Sequence, residues 1–406
     1  MNDPARKPDL DPVPTPPLVT GVMRIDTGFR TLASQFFDLF HRTQDGGGAL
    51  AVYLHGEPVL DVWAGWATPV DRWQMDTVAL SFSTGKGVAS TVLHRLAERG
   101  IIDYDAPVAQ YWPEFAAAGK EGITIRGLMS HRAGLHRVRG LVRGPLGLMD
   151  HAAVTAALAA SAPDPRSPRV PGYHAVTYGT LVAELATRAT GTPFAELVRT
   201  EIAEPLGVPE FWFVVPPEER HRIAKSFPRI TPFRLLPWET TSFALSRIPG
   251  LRGVADAGMP QGFDELVRNP AIHDVAMPGW NGVFNARALA KMYGALANSG
   301  SVEGIRFLRP ETVAQMSEVQ TTDRDYVLGI RMNWRLGYHS ALVASRTQYG
   351  HAFGHYGLGG SGAFADTESG LALAFVTNRM GNALTPLTDL RMMRLGAQAQ
   401  SIARRM

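Results

Sequence analysis

Strand-like segments lie near both ends of this chain, and a long helical stretch separates them. The segment ALAVYLHGEPVLDVWAGWA, beginning at Ala49, predicts two strands around a tight turn at residues 55–58. GAFADTESGLALAFVTN, beginning at Gly362, predicts a second hairpin that turns at residues 367–370, and YVLGIRMNW (326–334) predicts a further strand. Because residues 103–209 show mainly short amphipathic helical patterns, the two groups of strands must meet across an insertion.

This order predicts a mixed α/β (α+β) fold, in which helices from the N- and C-terminal parts flank a central antiparallel sheet. We expect residues 21–103 and 281–406 to form the sheet domain and residues 104–280 to form an inserted, mainly helical domain. Residues 1–20 contain six prolines and predict a disordered tail. Residues 215–280 are apolar, proline-rich and weakly periodic, which is typical of an irregular, lid-like segment. A loosely packed insertion explains that segment equally well.

Composition excludes several classes of function. The 40 Lys and Arg residues nearly balance the 37 Asp and Glu residues, and they form no basic run, so we expect no nucleic-acid partner. The chain has no cysteine, which excludes thiol nucleophiles, disulfides and thiolate metal sites. No apolar run is long enough to span a membrane, although peripheral membrane contact stays open. The first residues do not resemble a signal peptide, so we expect a cytoplasmic protein; the sequence does not indicate its oligomeric state.

The stretch SFSTGKGVAST (81–91) allows two chemistries. A phosphate-binding loop requires glycine at position 80 and Ser or Thr at position 87, whereas the chain has Leu80 and Gly87. Ser83 and Lys86 instead form an S-x-x-K pair, and the apolar residues after them recur at helical spacing until Gly100. One helical turn separates the two side chains, so the amine can take the hydroxyl proton. By itself the motif also fits a serine helix cap followed by a solvated lysine.

Three further segments follow this motif in a recognisable order. ITIRGLMSHRAGL begins at Ile123, PGYHAVTYGTLVAELATRATG begins at Pro171 and is followed by IAEPLGV, and FGHYGLGGSGAFAD begins at Phe353. Together with the S-x-x-K pair, these segments resemble the motifs of the serine β-lactamase-like superfamily, of the class C type of fold. The resemblance spans roughly residues 28 to 400 and is greatest to the branch called family VIII carboxylesterases.

The resemblance implies a role for each matching residue. Ser83 corresponds to the nucleophile and Lys86 to its base or proton relay. Tyr173 corresponds to the tyrosine that acts as a phenolate or relays a proton to the leaving group, with Tyr178 as a rival. His355, Tyr356 and Gly357 replace the family's K-T-G motif and are the implied substrate-binding residues. The backbone N–H groups of Ser83 and Leu358 correspond to the oxyanion hole.

Two departures from the family pattern indicate the substrate. Tyr173-His174-Ala175 lacks the asparagine of Y-x-N, and His355 replaces a lysine that helps to bind the antibiotic's carboxylate. Both losses disfavour penicillins and leave the serine chemistry intact. We therefore predict a serine carboxylesterase that hydrolyses short- to medium-chain esters without a cofactor or metal. A weak β-lactamase or D-amino-acid peptidase, an acyl transferase or lactonase, and a non-catalytic binding protein are the alternatives.

Overall fold

The computed structural model describes residues 20–40, 46–144, 146–226, 238–248, 251–341, 350–380 and 390–406. The predicted tail therefore lies outside the described residues except for residue 20. Residues 227–237 and 249–250 of the predicted lid-like segment also lie outside them.

A seven-stranded antiparallel sheet forms the centre of the molecule. In chain order the strands of the structure are β1 (Thr20–Ile25), β2 (Gly47–Leu54), β3 (Glu57–Gly65), β4 (Ala79–Leu80), β5 (Phe211–Trp212), β6 (Val283–Phe284), β7 (Ser301–Val302), β8 (Ile305–Arg306), β9 (His339–Ser340), β10 (Ala352–Tyr356), β11 (Gly362–Asp366) and β12 (Leu371–Thr377). The central sheet has the order β1-β3-β2-β12-β11-β10-β9. Its middle pair, β2 and β12, joins the two ends of the chain, with Leu54 opposite Leu371 and Gly48 opposite Thr377.

Helices cover both faces of this sheet. In chain order, all the helices of the structure are α1 (Arg30–Asp38), α2 (Gly85–Glu98), α3 (Ile125–Met129), α4 (His151–Ala160), α5 (Thr177–Thr190), α6 (Phe194–Val198), α7 (Glu204–Leu206), α8 (Trp238–Arg247), α9 (Arg252–Gly258), α10 (Phe263–Arg268), α11 (Ala286–Ala297), α12 (Pro310–Ser317) and α13 (Leu390–Ala403). The helices α1 and α13 pack on one face, and α11 packs on the other, where α2 contacts β10. The predicted sheet with terminal flanking helices is confirmed.

Residue size on the central strands explains which helix packs on which face. Along β12, Leu371, Leu373 and Phe375 point toward the terminal helices, whereas Ala372 and Ala374 point toward α11. Successive strand residues face opposite sides of a sheet, so this alternation makes one bulky face and one smooth face. The alanine face lets α11 approach closely, and the large side chains of the other face fill the layer beneath α1 and α13.

The local predictions had mixed outcomes. Both predicted hairpins form, as β2–β3 and β11–β12. The predicted strand at 326–334 is wrong, because this segment forms turns with isolated bridges only. β1, which the sequence analysis did not predict, adds an edge to the sheet. The described part of 215–280 contains the short helices α8, α9 and α10, while the proposed domain boundaries and the lid role stay predictions. Within the described ranges, no helix is long and apolar enough to cross a bilayer.

Candidate active site

The Ser83 turn connects the small three-stranded sheet β4-β6-β5 to helix α2. Phe82, directly before the serine, is buried and has a φ angle of +47°, a left-handed conformation that is costly for a bulky residue. The turn is fixed from outside the helix, since the Ser81 N–H donates to the carbonyl of Gly282 at 2.8 Å. This sharp turn leaves Ser83 partly exposed, whereas Ser81 is fully buried and its hydroxyl donates to Ala79.

Lys86 lies in the first turn of α2, and its amine contacts three oxygen atoms. Nζ is 2.8 Å from Oγ of Ser83, 2.6 Å from the carbonyl oxygen of Ala175 and 2.5 Å from that of Gly279. The side chain is fully buried, and this burial lowers the pKa of Lys86 well below its ordinary value. The predicted contact between the amine and the serine hydroxyl is therefore present, and the environment favours an uncharged amine.

Tyr173 approaches the same serine from the opposite side. Its hydroxyl donates to Oγ of Ser83 at 3.1 Å. Burial raises the pKa of Tyr173, and the hydrogen bond to Ser83 only partly opposes that shift, so the phenol is protonated in the resting enzyme. The rival Tyr178 lies on α5 and is directed toward the middle of α2, where its hydroxyl bonds to that of Ser90 at 2.8 Å. The structure thus brings Tyr173, and not Tyr178, to Ser83.

The turn after β10 lies directly against the Ser83 turn. A Cβ atom added to Gly357 would be only 2.2 Å from the carbonyl oxygen of Ser81. The Thr84 hydroxyl also donates to the Ser361 carbonyl at 3.1 Å. This close approach needs a glycine, and it brings the neighbouring Leu358 to the serine turn. Among the residues that the structure describes, no backbone carbonyl accepts a hydrogen bond from the N–H of Ser83 or of Leu358.

The three residues of the third motif do not share one face of the sheet. His355 lies on the face of the serine, with its ring centre 6.2 Å from that of Tyr173. Tyr356 packs instead with Phe364 and Met392 beneath the terminal helices, so its ring is not brought to Ser83. Strand alternation explains the difference. Burial holds the pKa of His355 well below its ordinary value, so the ring is neutral at pH 7.

The second histidine of this region does not join the site. His351 precedes β10 and is exposed, whereas His355 is buried within the strand. Across the described ranges, no group of three His, Asp or Glu side chains converges in a way that could hold a metal ion.

Sequence reasoning missed the segment 277–282, which supplies the Gly279 carbonyl. Asn281 is fully buried and fixes this segment. Its side-chain NH2 group donates to the backbone carbonyls of Phe213, Ile272 and Val275, and its side-chain oxygen accepts from the N–H of Met277. The contribution to Lys86 comes from a backbone carbonyl, which any residue type carries. The only available signal was Pro-Gly-Trp-Asn at 278–281, a pattern of turn residues beside a buried aromatic.

The fold and the serine, lysine and tyrosine at its centre define a serine hydrolase of β-lactamase type. The Beta-lactamase family model matches residues 35–398, and the chain therefore belongs to that family.

Individual relatives agree with this assignment. The esterase/beta-lactamase LipL of Mycobacterium tuberculosis is 40% identical over 89% of this chain and 83% of its own length. Esterase EstB of Burkholderia gladioli is 27% identical over 77% of this chain and 80% of its own length. The solved structure of a family VIII carboxylesterase superposes with a TM-score of 0.80 at 32% identity, covering 93% of this chain and 98% of the other.

Proposed function

We propose that this protein is a serine carboxylesterase that works through an acyl-enzyme on Ser83. One observation carries the proposal: the Ser83 hydroxyl is contacted by the Lys86 amine at 2.8 Å and by the Tyr173 hydroxyl at 3.1 Å. A serine hydroxyl is a weak nucleophile, so it needs an adjacent base, and here the base and a second proton carrier meet at one oxygen. Esterase is also part of the names of two curated relatives.

The contacts of Lys86 support its role as the base. A neutral amine has two N–H groups and one lone pair, whereas an ammonium has three N–H groups. The carbonyls of Ala175 and Gly279 accept two N–H bonds, so the remaining position, facing Ser83, is that of the lone pair. Lys86 can thus take the Ser83 proton while Oγ forms a bond to the ester carbonyl carbon.

The resulting oxyanion requires donors that are free to receive it. The N–H groups of Ser83 and Leu358 are the candidates, because neither has a backbone acceptor among the described residues and Gly357 holds Leu358 at the serine turn. Such donors typically contribute about 3 kcal/mol each to the transition state. Their geometry belongs to the backbone, so the side chain of Leu358 is not required for this role.

The protonated Tyr173 suits the next step. As the carbon–oxygen bond to the alcohol breaks, the phenol gives its proton to the leaving alkoxide and recovers one from the Lys86 ammonium. Water then attacks the acyl-enzyme, loses its proton to the same pair, and releases the acid as Ser83 regains its hydrogen. The burial that raises the pKa of Tyr173 keeps the phenol protonated and ready for this transfer.

Aromatic rings beside the serine suggest an apolar acyl group. Phe263 of α10 packs between Phe82 and Trp280, with ring centres 6.5 Å and 6.1 Å apart. Phe82 adjoins Ser83, and Trp280 adjoins Gly279, so this aromatic cluster borders the reacting atoms. We expect a preference for short to medium acyl chains. Rates on p-nitrophenyl esters of two to sixteen carbons test this, and a maximum at sixteen carbons would contradict it.

Hydrolysis of p-nitrophenyl butyrate by serine variants tests the esterase assignment. Ser83→Ala should lower kcat by about a millionfold, as removal of a serine nucleophile does elsewhere. Ser81→Ala is the matched control, because Ser81 is two residues away and its hydroxyl bonds only within the turn. Its activity should stay within about threefold of wild type. Equal activity of Ser83→Ala and wild type would overturn the nucleophile assignment and favour the binding-protein alternative.

β-Lactam hydrolysis is the second candidate, since the relative LipL is named an esterase/beta-lactamase. The neutral, buried His355 argues against it as the main activity, because it offers no positive charge to the carboxylate of a β-lactam. We expect kcat/KM for nitrocefin to be at least a hundredfold below that for p-nitrophenyl butyrate. This ratio corresponds to a transition state that is less stabilised by about 3 kcal/mol or more. Comparable values for the two substrates would reverse the order of the two candidates.

A further inference from the structure

A buried carboxylate lies behind Tyr173, directly before the segment that sequence periodicity wrongly predicts as a strand. Asp325 begins a tight loop, in which its N–H donates to Ile330 at 2.9 Å and its carbonyl accepts from Gly329 at 2.8 Å. The side chain is fully buried. One carboxylate oxygen accepts from the N–H groups of Val327 and Leu328, both at 2.9 Å, so the loop is closed around this charge.

The second carboxylate oxygen of Asp325 connects the loop to the tyrosine. It accepts from Nε1 of Trp334 at 3.0 Å. The Trp334 ring is stacked on that of Tyr173, with centres 5.4 Å apart and planes inclined by 14°. Asp325 therefore holds the surface on which the ring of Tyr173 rests.

Burial raises the pKa of Asp325, and the N–H groups around its carboxylate oppose that shift. Among the described residues, no Lys, Arg or His forms an ion pair with this carboxylate. Its neighbours Val327, Met332 and Ala257 form a small apolar core. A buried unpaired charge opposes folding unless its lone pairs are satisfied, so a packed apolar side chain would serve stability alone at least as well. The carboxylate instead brings three N–H groups, those of Val327, Leu328 and Trp334, to defined positions behind Tyr173.

We propose that Asp325 is a positioning residue that holds the Tyr173 hydroxyl at Ser83 for proton transfer to the leaving alcohol. This inference rests on the proposed role of Tyr173. Asparagine at 325 would place an NH2 group against some of these donors, so either Trp334 or the pair Val327 and Leu328 would lose its acceptor. A shift of about 1 Å in a catalytic group can cost about a hundredfold in rate.

Leaving-group dependence separates this role from general destabilisation. p-Nitrophenolate departs without a proton, whereas the ethoxide of ethyl butyrate needs one. Asp325→Asn should lower kcat/KM for ethyl butyrate about a hundredfold and for p-nitrophenyl butyrate about tenfold or less. The matched control is Asp366→Asn, another buried aspartate, which accepts from the Glu368 N–H and the Gln400 amide in the sheet. It should leave both values unchanged.

A double-mutant cycle with Tyr173→Phe completes the test. If Asp325 acts through the tyrosine hydroxyl, Asp325→Asn should cost nothing further on ethyl butyrate in the Tyr173→Phe background. Equal losses in both backgrounds would overturn the positioning role alone, while wild-type activity of Tyr173→Phe would overturn the proposed role of Tyr173 as well. If Asp325→Asn does not fold, Trp334→Phe replaces it: this variant keeps the stacked ring but lacks the indole N–H. It should show a smaller loss with the same dependence on Tyr173.

Discussion

Burial favours the neutral amine that Lys86 would need for proton transfer. A second buried lysine, Lys120, shows how the contact with Ser83 distinguishes Lys86. Nζ of Lys120 donates to three carbonyl oxygens, those of Ala117, Ala159 and Ser161, at 2.5–2.8 Å. All three N–H groups of an ammonium are used there, as in a structural tie between segments. Lys86 has only two carbonyl partners, and its third is the Ser83 hydroxyl. The contact with a hydroxyl in place of a third carbonyl is the feature that supports the proposed role of Lys86 as a base.

The pH dependence of esterase activity should report this difference. Lys86 must be neutral to act, and burial lowers its pKa, so activity is present above that pKa and lost as the pH falls through it. We expect kcat/KM for p-nitrophenyl butyrate to have reached its plateau by about pH 8. An ordinary lysine would still gain activity near pH 10. A tenfold rise per pH unit from 8 to 10 would contradict a neutral Lys86.

Variants of the two buried lysines provide the control for that measurement. Lys86→Met should lower kcat/KM by at least about a thousandfold, because the base is removed. Lys120→Met leaves three carbonyls without donors and should lower the melting temperature while the remaining folded protein keeps its activity. Similar activity losses in both variants would indicate that Lys86 matters for folding only.

At the scale of elements, the end of β10 lies in direct contact with the Ser83 turn, and this contact positions the proposed oxyanion donor Leu358. Gly357→Ala should lower kcat/KM for p-nitrophenyl butyrate by about a hundredfold, because the added Cβ pushes the Leu358 N–H away from the serine. Gly122→Ala is the control, since a Cβ at Gly122 meets no atom within 4 Å. Kinetics and melting curves of both variants would check this. Unchanged kinetics in Gly357→Ala would contradict the proposed position of Leu358.

The elements also show how far the sequence could predict the site. Ser83, Lys86 and Tyr173 were found because their side chains carry the chemistry, and the structure brings all three together. The carbonyl of Gly279 was missed because every residue has a carbonyl. Asp325 was missed because the segment directly after it, YVLGIRMNW, alternates like a strand, although hydrogen bonds to the buried Asp325 carboxylate fold that segment into turns. The local sequence pattern therefore predicted the hairpins. Polar contacts between residues distant in sequence determine the turns after Asp325 and the contact of the Gly279 carbonyl with Lys86.

For the whole molecule, buried histidines should set the acid limit of stability. His94 and His174 are buried, and burial lowers the pKa of each to about 3; it lowers the pKa of His136 and His339 to about 4. The unfolded chain takes up these protons near pH 6.5, whereas the folded chain does not. Stability is therefore full above about pH 7 and falls as the pH drops toward 4. At pH 5 each of these histidines lowers the free energy of unfolding by about 2 kcal/mol, so the four together approach the total stability of a typical domain.

Urea midpoints measured between pH 8 and pH 4.5 test this expectation. The midpoint should be nearly constant above pH 7 and then fall steeply toward pH 5. His94→Gln removes one of these buried groups and should make the fall shallower than in wild type. A midpoint that does not change between pH 7 and pH 5 would contradict the neutral state of the buried histidines.

The pairing of β2 with β12 also has a consequence for biosynthesis. Strands at residues 47–54 and 371–377 are neighbours in the sheet, so a ribosome must translate more than three hundred further residues before β2 can acquire this partner. Leu358, the proposed second oxyanion donor, likewise emerges long after Ser83. A nascent chain therefore carries the proposed nucleophile Ser83 early but cannot assemble the complete proposed site until translation is almost finished. Contacts so distant in sequence slow folding, and until they form the apolar faces of β2 and β3 are available to chaperones.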